Sequence, residues 1–436
     1  MSEANSSLEQ ILSQLKCHFT WNLFKNKVIP EDLEERVNEQ IEDLNSEFKG
    51  TMYNMLAYIK HLDGQNEAAL ECLKQAEEFT RQEHADQAEV RNLVTWGNYA
   101  WVYYHLGRLP EAQAYIDKVK QVCEKFSNPY SIECPQLESE EGWTRLKCGN
   151  KQFIRATVCF KKALEKHPND PEFTYGLAIA TYHMKDRPAP LNDTDLLRKA
   201  IELNPDNHYV KLLLALRLQK MGNSEGEKIA EEFLEKGQCV TSMLQQAAKF
   251  YQTKGDLDKA IELLERVLEK LPNNTRIHFT IGTCYQQKVR QIWWQNNQMS
   301  QEKEKAQYLR RQAMNHFKKA DNNRNISKIN LNLAFLHAIA SELKEAEHYY
   351  QREFSKKLPP SCEQKLQVKY GKFLFYNMKN EDGAIHHYME AVKINYESQE
   401  RKEAMKLLTK IAQKRVNENR TDSQTLHLSE FLQQQN

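Results

Sequence analysis

The chain has 436 residues, with 61 Lys and Arg against 60 Asp and Glu, and a formal net charge of +1. Hydrophobic residues make up 40% and aromatic residues 10%, so the chain is polar for a globular protein but too aromatic to be disordered. Only 14 Gly and 12 Pro are present, which argues against a loop-rich or all-β chain and for helices.

No run approaches the ~18 apolar residues of a membrane span. The N-terminus, Met1 to Gln10, is polar and reads as neither signal nor transit peptide. Nine scattered cysteines (Cys17, Cys72, Cys123, Cys134, Cys148, Cys159, Cys239, Cys284 and Cys362) include no C-x-x-C pair. They read as small apolar side chains of a reduced, cytoplasmic protein.

In chain order, residues 1–50 are predicted to form an N-terminal helical segment, acidic from Glu31 to Glu47 apart from Arg36. A repeat then begins. Leu56-Ala57-Tyr58 leads through Gly64 to Ala69 and Ala76. Trp96-Gly97-Asn98-Tyr99-Ala100 leads through Gly107 to Ala112 and Val119. Each unit has a first helix of small and aromatic residues, a turn at Gly, and an Ala opening a second helix. This is the tetratricopeptide pattern of about 34 residues.

Further units run from Trp143 to Pro168, from Tyr175 to Pro205 with a Pro-containing turn at Arg187–Leu191, and from Tyr209 to Leu234. Ala247 to Pro272, turning at Gly255, matches the pattern most fully. Lys288–Tyr308 is too long for a turn and predicts extra helix. Units around Ala334 and Ala346, then Gly371 and Ala384, complete about nine helix pairs. The expected fold is an all-α tetratricopeptide-repeat superhelical solenoid with irregular repeats and extra helices. Its expected parts are repeats over 51–240 and 241–395, and basic C-terminal helices over 396–436. Small residues let paired helices approach, the turn glycines stand where a side chain would clash, and a lone pair cannot bury its apolar face, so neighbours must stack.

Catalytic patterns are missing: there is no Walker A sequence, G-x-S-x-G, H-E-x-x-H or G-x-G-x-x-G. No enzyme, cofactor or metal site is expected. His386-His387 reads as a surface pair on a repeat helix. The informative charges are basic. Lys288–Arg324 is rich in Lys and Arg and contains Trp293-Trp294, which could stack on bases or serve as helix contacts. Lys402, Lys406, Lys410 and Lys414 recur at i, i+4 along one helix face, where a phosphate backbone would relieve their repulsion.

Cys17-His-Phe-Thr-Trp-Asn22, Gly64-Gln-Asn-Glu-Ala-Ala-Leu-Glu-Cys72, Leu93-Val-Thr-Trp-Gly-Asn-Tyr-Ala-Trp-Val-Tyr-Tyr-His105 and Glu141-Gly-Trp-Thr-Arg-Leu-Lys-Cys-Gly149 resemble the interferon-induced proteins with tetratricopeptide repeats. The likeness spans essentially the whole chain. The first half is most similar to member three, and the tail from Lys410 to member two. The resemblance implies a cytoplasmic antiviral effector of innate immunity. It would form homo- or hetero-oligomers with family members, and its further partners would be viral RNA and antiviral signalling adaptors, with no DNA binding and no membrane insertion.

Residue by residue, Gln40 and Lys147 match the glutamine and lysine of the family's 5′-triphosphate pocket. Tyr209 matches a tyrosine along the RNA path, Trp143 a tryptophan linked to cap stacking, and Lys249 a channel lysine. Several cations are replaced, however: Gln245, Gln252 and Thr253 stand where the family carries basic residues, and His183 stands for a channel arginine. Phe279-Thr280 replaces a His-Gln pair, and Phe153 a tyrosine. Charge-assisted bonds to phosphate are roughly twice as strong as neutral ones, so tight triphosphate or cap capture is not expected. Two readings remain: a scaffold that oligomerises and binds RNA as an auxiliary activity, or capture of AU-rich or viral RNA by the basic C-terminal region. Ending at Asn436, before the last family repeat, the chain is expected to lack the pairing of member three with member one.

Overall fold

The computed structural model describes residues 3–24, 29–30, 33–42, 48–124, 126, 128–149, 152–184, 193–235, 241–295, 300–320, 326–418 and 422–435. The expected turn at 187–191, Cys239, Arg324, Arg420, much of the acidic run at 31–47 and the side chain of Trp294 lie outside the described residues. Every regular element among the described residues is a helix. None is long and apolar enough to cross a membrane. The chain divides into two compact units, Met1–Leu263 and Leu264–Asn436.

The first unit opens with α1 (Glu3–Leu12) and α2 (Leu33–Glu42). Helix pairs follow: α3 (Lys49–Leu62) with α4 (Asn66–Glu83), α5 (Ala88–His105) with α6 (Leu109–Cys123), and α7 (Pro135–Lys147) with α8 (Phe153–Lys166). Next come α9 (Pro171–His183) with α10 (Asp193–Leu203), α11 (His208–Lys220) with α12 (Glu225–Glu235), and then α13 (Thr241–Lys254). The division between units falls inside α14 (Leu257–Lys270). The second unit pairs α15 (Thr275–Gln295) with α16 (Ser300–Lys319), α17 (Ile326–Ile339) with α18 (Leu343–Phe354), α19 (Pro360–Tyr376) with α20 (Glu381–Lys393), and α21 (Gln399–Asn417) with α22 (Ser423–Gln435). The described residues of the irregular stretch 288–308 belong to two long helices packed together, α15 and α16, of 21 and 20 residues.

In both units the first helices of successive pairs also pack on one another: α3, α5, α7, α9, α11 and α13 in the first, α15, α17, α19 and α21 in the second. They form one continuous layer of each unit, called here its inner layer. The repeat alanines Ala69, Ala112 and Ala156 are fully buried on the second helices of their pairs, and Ala260 is fully buried on α14. Gly176 shows how close the approach is, because a Cβ there would lie 2.2 Å from the ring of Phe160. The turn glycines work differently from the sequence expectation. At Gly255 a Cβ would meet nothing within 4 Å, but φ is +94°. The requirement is the left-handed backbone, not a clash. Ser341 and Lys379, at φ 60° and 55°, meet the same need in the turns of the second unit.

Two buried polar networks tie elements together. Arg91 on α5, with a side chain 1% exposed, reaches Glu140 on α7 at 2.9 Å and Glu172 on α9 at 2.7 Å. Glu140 also accepts from Thr51 on α3 at 2.6 Å, and Glu172 from Ser139 at 2.5 Å. Nearby, the fully buried His18 of the N-terminal segment joins Asn98 on α5 at 3.1 Å and Thr144 on α7 at 3.3 Å. Burial pushes its imidazole down to about 3. Burial acts oppositely on the thiols of Cys17, Cys148, Cys159 and Cys284, which rise to about 12. The described cysteines are free, and of them Cys362 is exposed.

Replacing Arg91 by Met leaves two carboxylates without their cation, Glu140 buried and Glu172 half-buried. Breaking a buried ion pair this way costs about 3–5 kcal/mol, and urea titration of the variant should show a loss of that size. His18 sets a pH dependence. The unfolded imidazole takes a proton below about 6.5, while the folded one stays neutral until about 3. Its contribution is therefore complete above 6.5 and is lost progressively as pH falls toward 3. Melting temperatures taken from pH 7.5 down to pH 4 should fall, and His18→Gln should flatten the fall.

Candidate nucleic-acid interface

The inner layer of the first unit gathers positive charge around a neutral ring. Lys147 and Lys220 end α7 and α11, Lys249 lies on α13, and all three act on His183, the last residue of α9. Burial, then Lys249, Lys147 and Lys220, lower the His183 pKa to about 4, so the imidazole is uncharged at pH 7. It stacks on Phe153 at 5.4 Å. The Lys249 side chain reaches solvent, yet enclosing protein and then Lys220 lower its pKa. Among the described residues no carboxylate enters either balance.

Of the replacements noted in the sequence, Gln245, Gln252 and Thr253 lie on α13 with Lys249. Gln245 lies one turn before Lys249, Gln252 is half-buried, and Thr253 donates to Gln219 at 3.0 Å. Phe279 and Thr280 belong to the second unit. Phe279 packs 5.7 Å from Phe317, and Thr280 donates back to the Arg276 carbonyl at 2.9 Å.

Of the residues expected to bind RNA, Lys147 and Lys249 are thus brought together around His183. Trp143 shares α7 with Lys147 but is buried: Phe48 stacks on it at 4.4 Å, and its Nε1 donates to Glu172 at 3.2 Å. Gln40 is half-buried on α2, which packs on α7, and Tyr209 is half-buried on α11. Lys402, Lys406, Lys410 and Lys414 all lie on the exposed side of α21, opposite Ala404, Leu408, Ile411 and the buried Arg415. Lys414 pairs with Glu381 at 3.3 Å. Lys402, Lys406 and Lys410 form no ion pair among the described residues.

A second cationic group on α19 is absent from the sequence expectations. Lys365, Lys369 and Lys372 share one face, joined by Arg290 from α15. Burial, then Lys365, Arg290 and Lys372, push Lys369 down to about 8, against a smaller opposing effect of Glu400. Arg290 lies 4.7 Å over the Phe335 ring of α17, and Lys372 pairs with Glu403 of α21 at 2.6 Å. The sequence signal was available: 365, 369 and 372 repeat at i, i+4, i+7, the rule that exposes the α21 stripe. Lys220 carried no such signal, since only the fold brings it to Lys147 and Lys249.

Trp293 is 45% exposed on α15 and Tyr308 53% exposed on α16. His386 is exposed, but His387 is half-buried, with Nδ1 2.6 Å from Gln367. Glu138, Glu141 and Cys159 approach one another within 4.8 Å. Both carboxylates are already matched by cations, Glu138 by Lys16 at 3.4 Å and Glu141 by Arg145 at 2.7 Å.

Comparison with known proteins agrees with this architecture. The tetratricopeptide-repeat pattern matches residues 50–83 and 241–269. Interferon-induced protein with tetratricopeptide repeats 2 of Homo sapiens is 55% identical over 100% of this chain and 94% of its own length. Interferon-induced protein with tetratricopeptide repeats 3 of Mus musculus is 49% identical over 88% of this chain and 94% of its own. Among solved structures, the human IFIT1 dimer with m7Gppp-AAAA superposes with a TM-score of 0.82 at 40% identity, covering 98% of this chain and 95% of that one. The human IFIT1 dimer with PPP-AAAA gives 0.78 at 39% identity, covering 98% and 94%. With this identity sustained over almost the full length of both chains, the protein belongs to the family of interferon-induced proteins with tetratricopeptide repeats.

Proposed function

We propose that this chain is an antiviral effector of innate immunity that binds RNA along the inner layers of its two units and assembles with copies of itself or with family relatives. It acts in the cytoplasm and performs no catalysis. The observation that carries the RNA reading is Lys369. A lysine held near pH 8 by burial and by three neighbouring cations, with Glu400 opposing only in part and Glu403 taken up by Lys372, is a site with more positive than negative charge. Phosphates supply that charge, and a phosphodiester backbone supplies it at repeated spacing. The lysines around His183 repeat the theme in the first unit. Assembly is supported by the human relative solved as a dimer.

The same chemistry sets the specificity. A 5′-triphosphate needs concentrated positive charge, but His183 is neutral and Gln245 replaces a cation. Internal phosphodiesters, with one charge each, suit scattered lysines. The protein therefore reads RNA by its backbone and not by its 5′ end.

Filter binding of a single-stranded AU-rich RNA, with and without a 5′-triphosphate, at about 50 and about 200 mM salt tests this. Both RNAs should bind alike and weaken steeply with salt. Lys365→Gln combined with Lys369→Gln should lower the salt slope by about 1.4, since each single-strand contact contributes about 0.7. Raising pH from 7 to 9 carries Lys369 through its pKa of about 8, so affinity should fall, and Lys369→Arg should remove that fall. Binding confined to the triphosphate RNA, or indifferent to salt, would sink the proposal.

A further inference from the structure

The cationic group of the second unit ends in two exposed rings. On α15, Gln286, Arg290 and Trp293 follow one another at i, i+4, i+7 and share a face. That face lies along α17. Gln286 Nε2 donates to the Asn332 carbonyl at 3.3 Å, and Arg290 sits 4.7 Å over the Phe335 ring. The two helices therefore run in the same direction. Counting on equally from Gln286 and Asn332 brings Trp293 level with Ile339, the last residue of α17. α17 stops where a further turn would cover the indole, and Trp293 is 45% exposed.

On the other side of α17, α19 carries Lys365, Lys369, Lys372 and Tyr376 at i, i+4, i+7 and i+11, again on one face. Asn377 Nδ2 donates to the Ala338 carbonyl at 3.2 Å, which sets this end of α19 level with the end of α17. Tyr376 is 49% exposed. Arg290 acts on Lys369, so the faces of α15 and α19 border one cationic surface. That surface closes at one level with a ring on each helix flanking α17.

A ligand that satisfies this surface must carry both anions and flat apolar faces. Single-stranded RNA alternates the two: its phosphates meet cations, and its unpaired bases stack on aromatic side chains. A duplex keeps its base faces inside its own stack. We propose that Trp293 and Tyr376 are base-stacking platforms at the end of the cationic row, and that the second unit takes RNA with unpaired bases there. This rests on the reading of Lys369 and its neighbours as phosphate contacts and adds to it a contact with the base.

Filter binding of three ligands of equal length tests the platforms: an AU-rich single-stranded RNA, its duplex, and an abasic ribose-phosphate strand. The unmodified protein should bind the single strand more tightly than the abasic strand. Trp293→Ala and Tyr376→Ala should each weaken single-strand binding at least about fivefold, the low end of the worth of one base–aromatic stack. Neither should change binding of the abasic strand or the duplex. Neither should change the salt slope, because a ring releases no counterions. Trp293→Phe keeps a flat face and should recover most of the loss. Unchanged single-strand affinity in either alanine variant would overturn the platforms and leave the phosphate contacts standing. Equal losses for all three ligands would overturn them too, since a ring that only braces the cations acts in that way. Circular dichroism checks that the variants fold. Should one not fold, the unmodified protein decides: equal affinity for the single strand and the abasic strand overturns the platforms, and preference for the single strand supports them. Failure of the unmodified protein to bind any of the three would remove the phosphate reading itself, and the platforms with it.

Discussion

The guanidinium of Arg91 is the point on which the first unit turns. Repeat solenoids are held by contacts between neighbours, so each helix pair contributes its own increment. Arg91 does more, because its two ion pairs run to α7 and α9 and its partner Glu140 is bonded to Thr51 of α3. Four successive first helices therefore share one charged network with almost no solvent. A buried charge of this kind is expensive unless every partner is in place. That expense makes the first unit cooperative where a chain of stacked pairs would otherwise fray. It also fixes Glu172, and through Glu172 the indole edge of Trp143.

Against this matched interior, the inner layers carry charge without matching. Carboxylates meet Arg91 and Arg415 wherever a guanidinium is buried. Around His183 and Lys369 the cations outnumber the carboxylates, and burial together with those cations lowers the pKa values of His183, Lys249 and Lys369. The contrast separates the two uses of charge in one chain. Paired charges organise the fold, and crowded like charges are tolerated only where solvent or a polyanion can reach them. The same chemistry occurs in both units.

Much of this was legible in the sequence, for local reasons. The first-helix, glycine-turn, second-helix pattern follows from rules spanning a few residues, and it marked out the helix pairs. It was least visible where Ser341 and Lys379 adopt the backbone that glycine adopts elsewhere. The α21 lysines could be placed on one face because helical spacing is fixed. Lys365, Lys369 and Lys372 obeyed the same spacing but sat among apolar residues that drew attention to the repeat. The convergence of Lys220 on Lys147 and Lys249 depends on how three repeats stack, which no window of sequence contains. Trp143 was recognised as a residue type, and its burial came from packing.

The cysteines give the protein an unplanned experimental handle. Burial holds the thiols of Cys17, Cys148, Cys159 and Cys284 in the protonated, unreactive form. Cys362 is exposed and lies on α19, seven residues before Lys369. Among the described cysteines, a gentle alkylating fluorophore would select this helix. Its emission would then report, without any engineered residue, on what settles against the cationic face of the second unit.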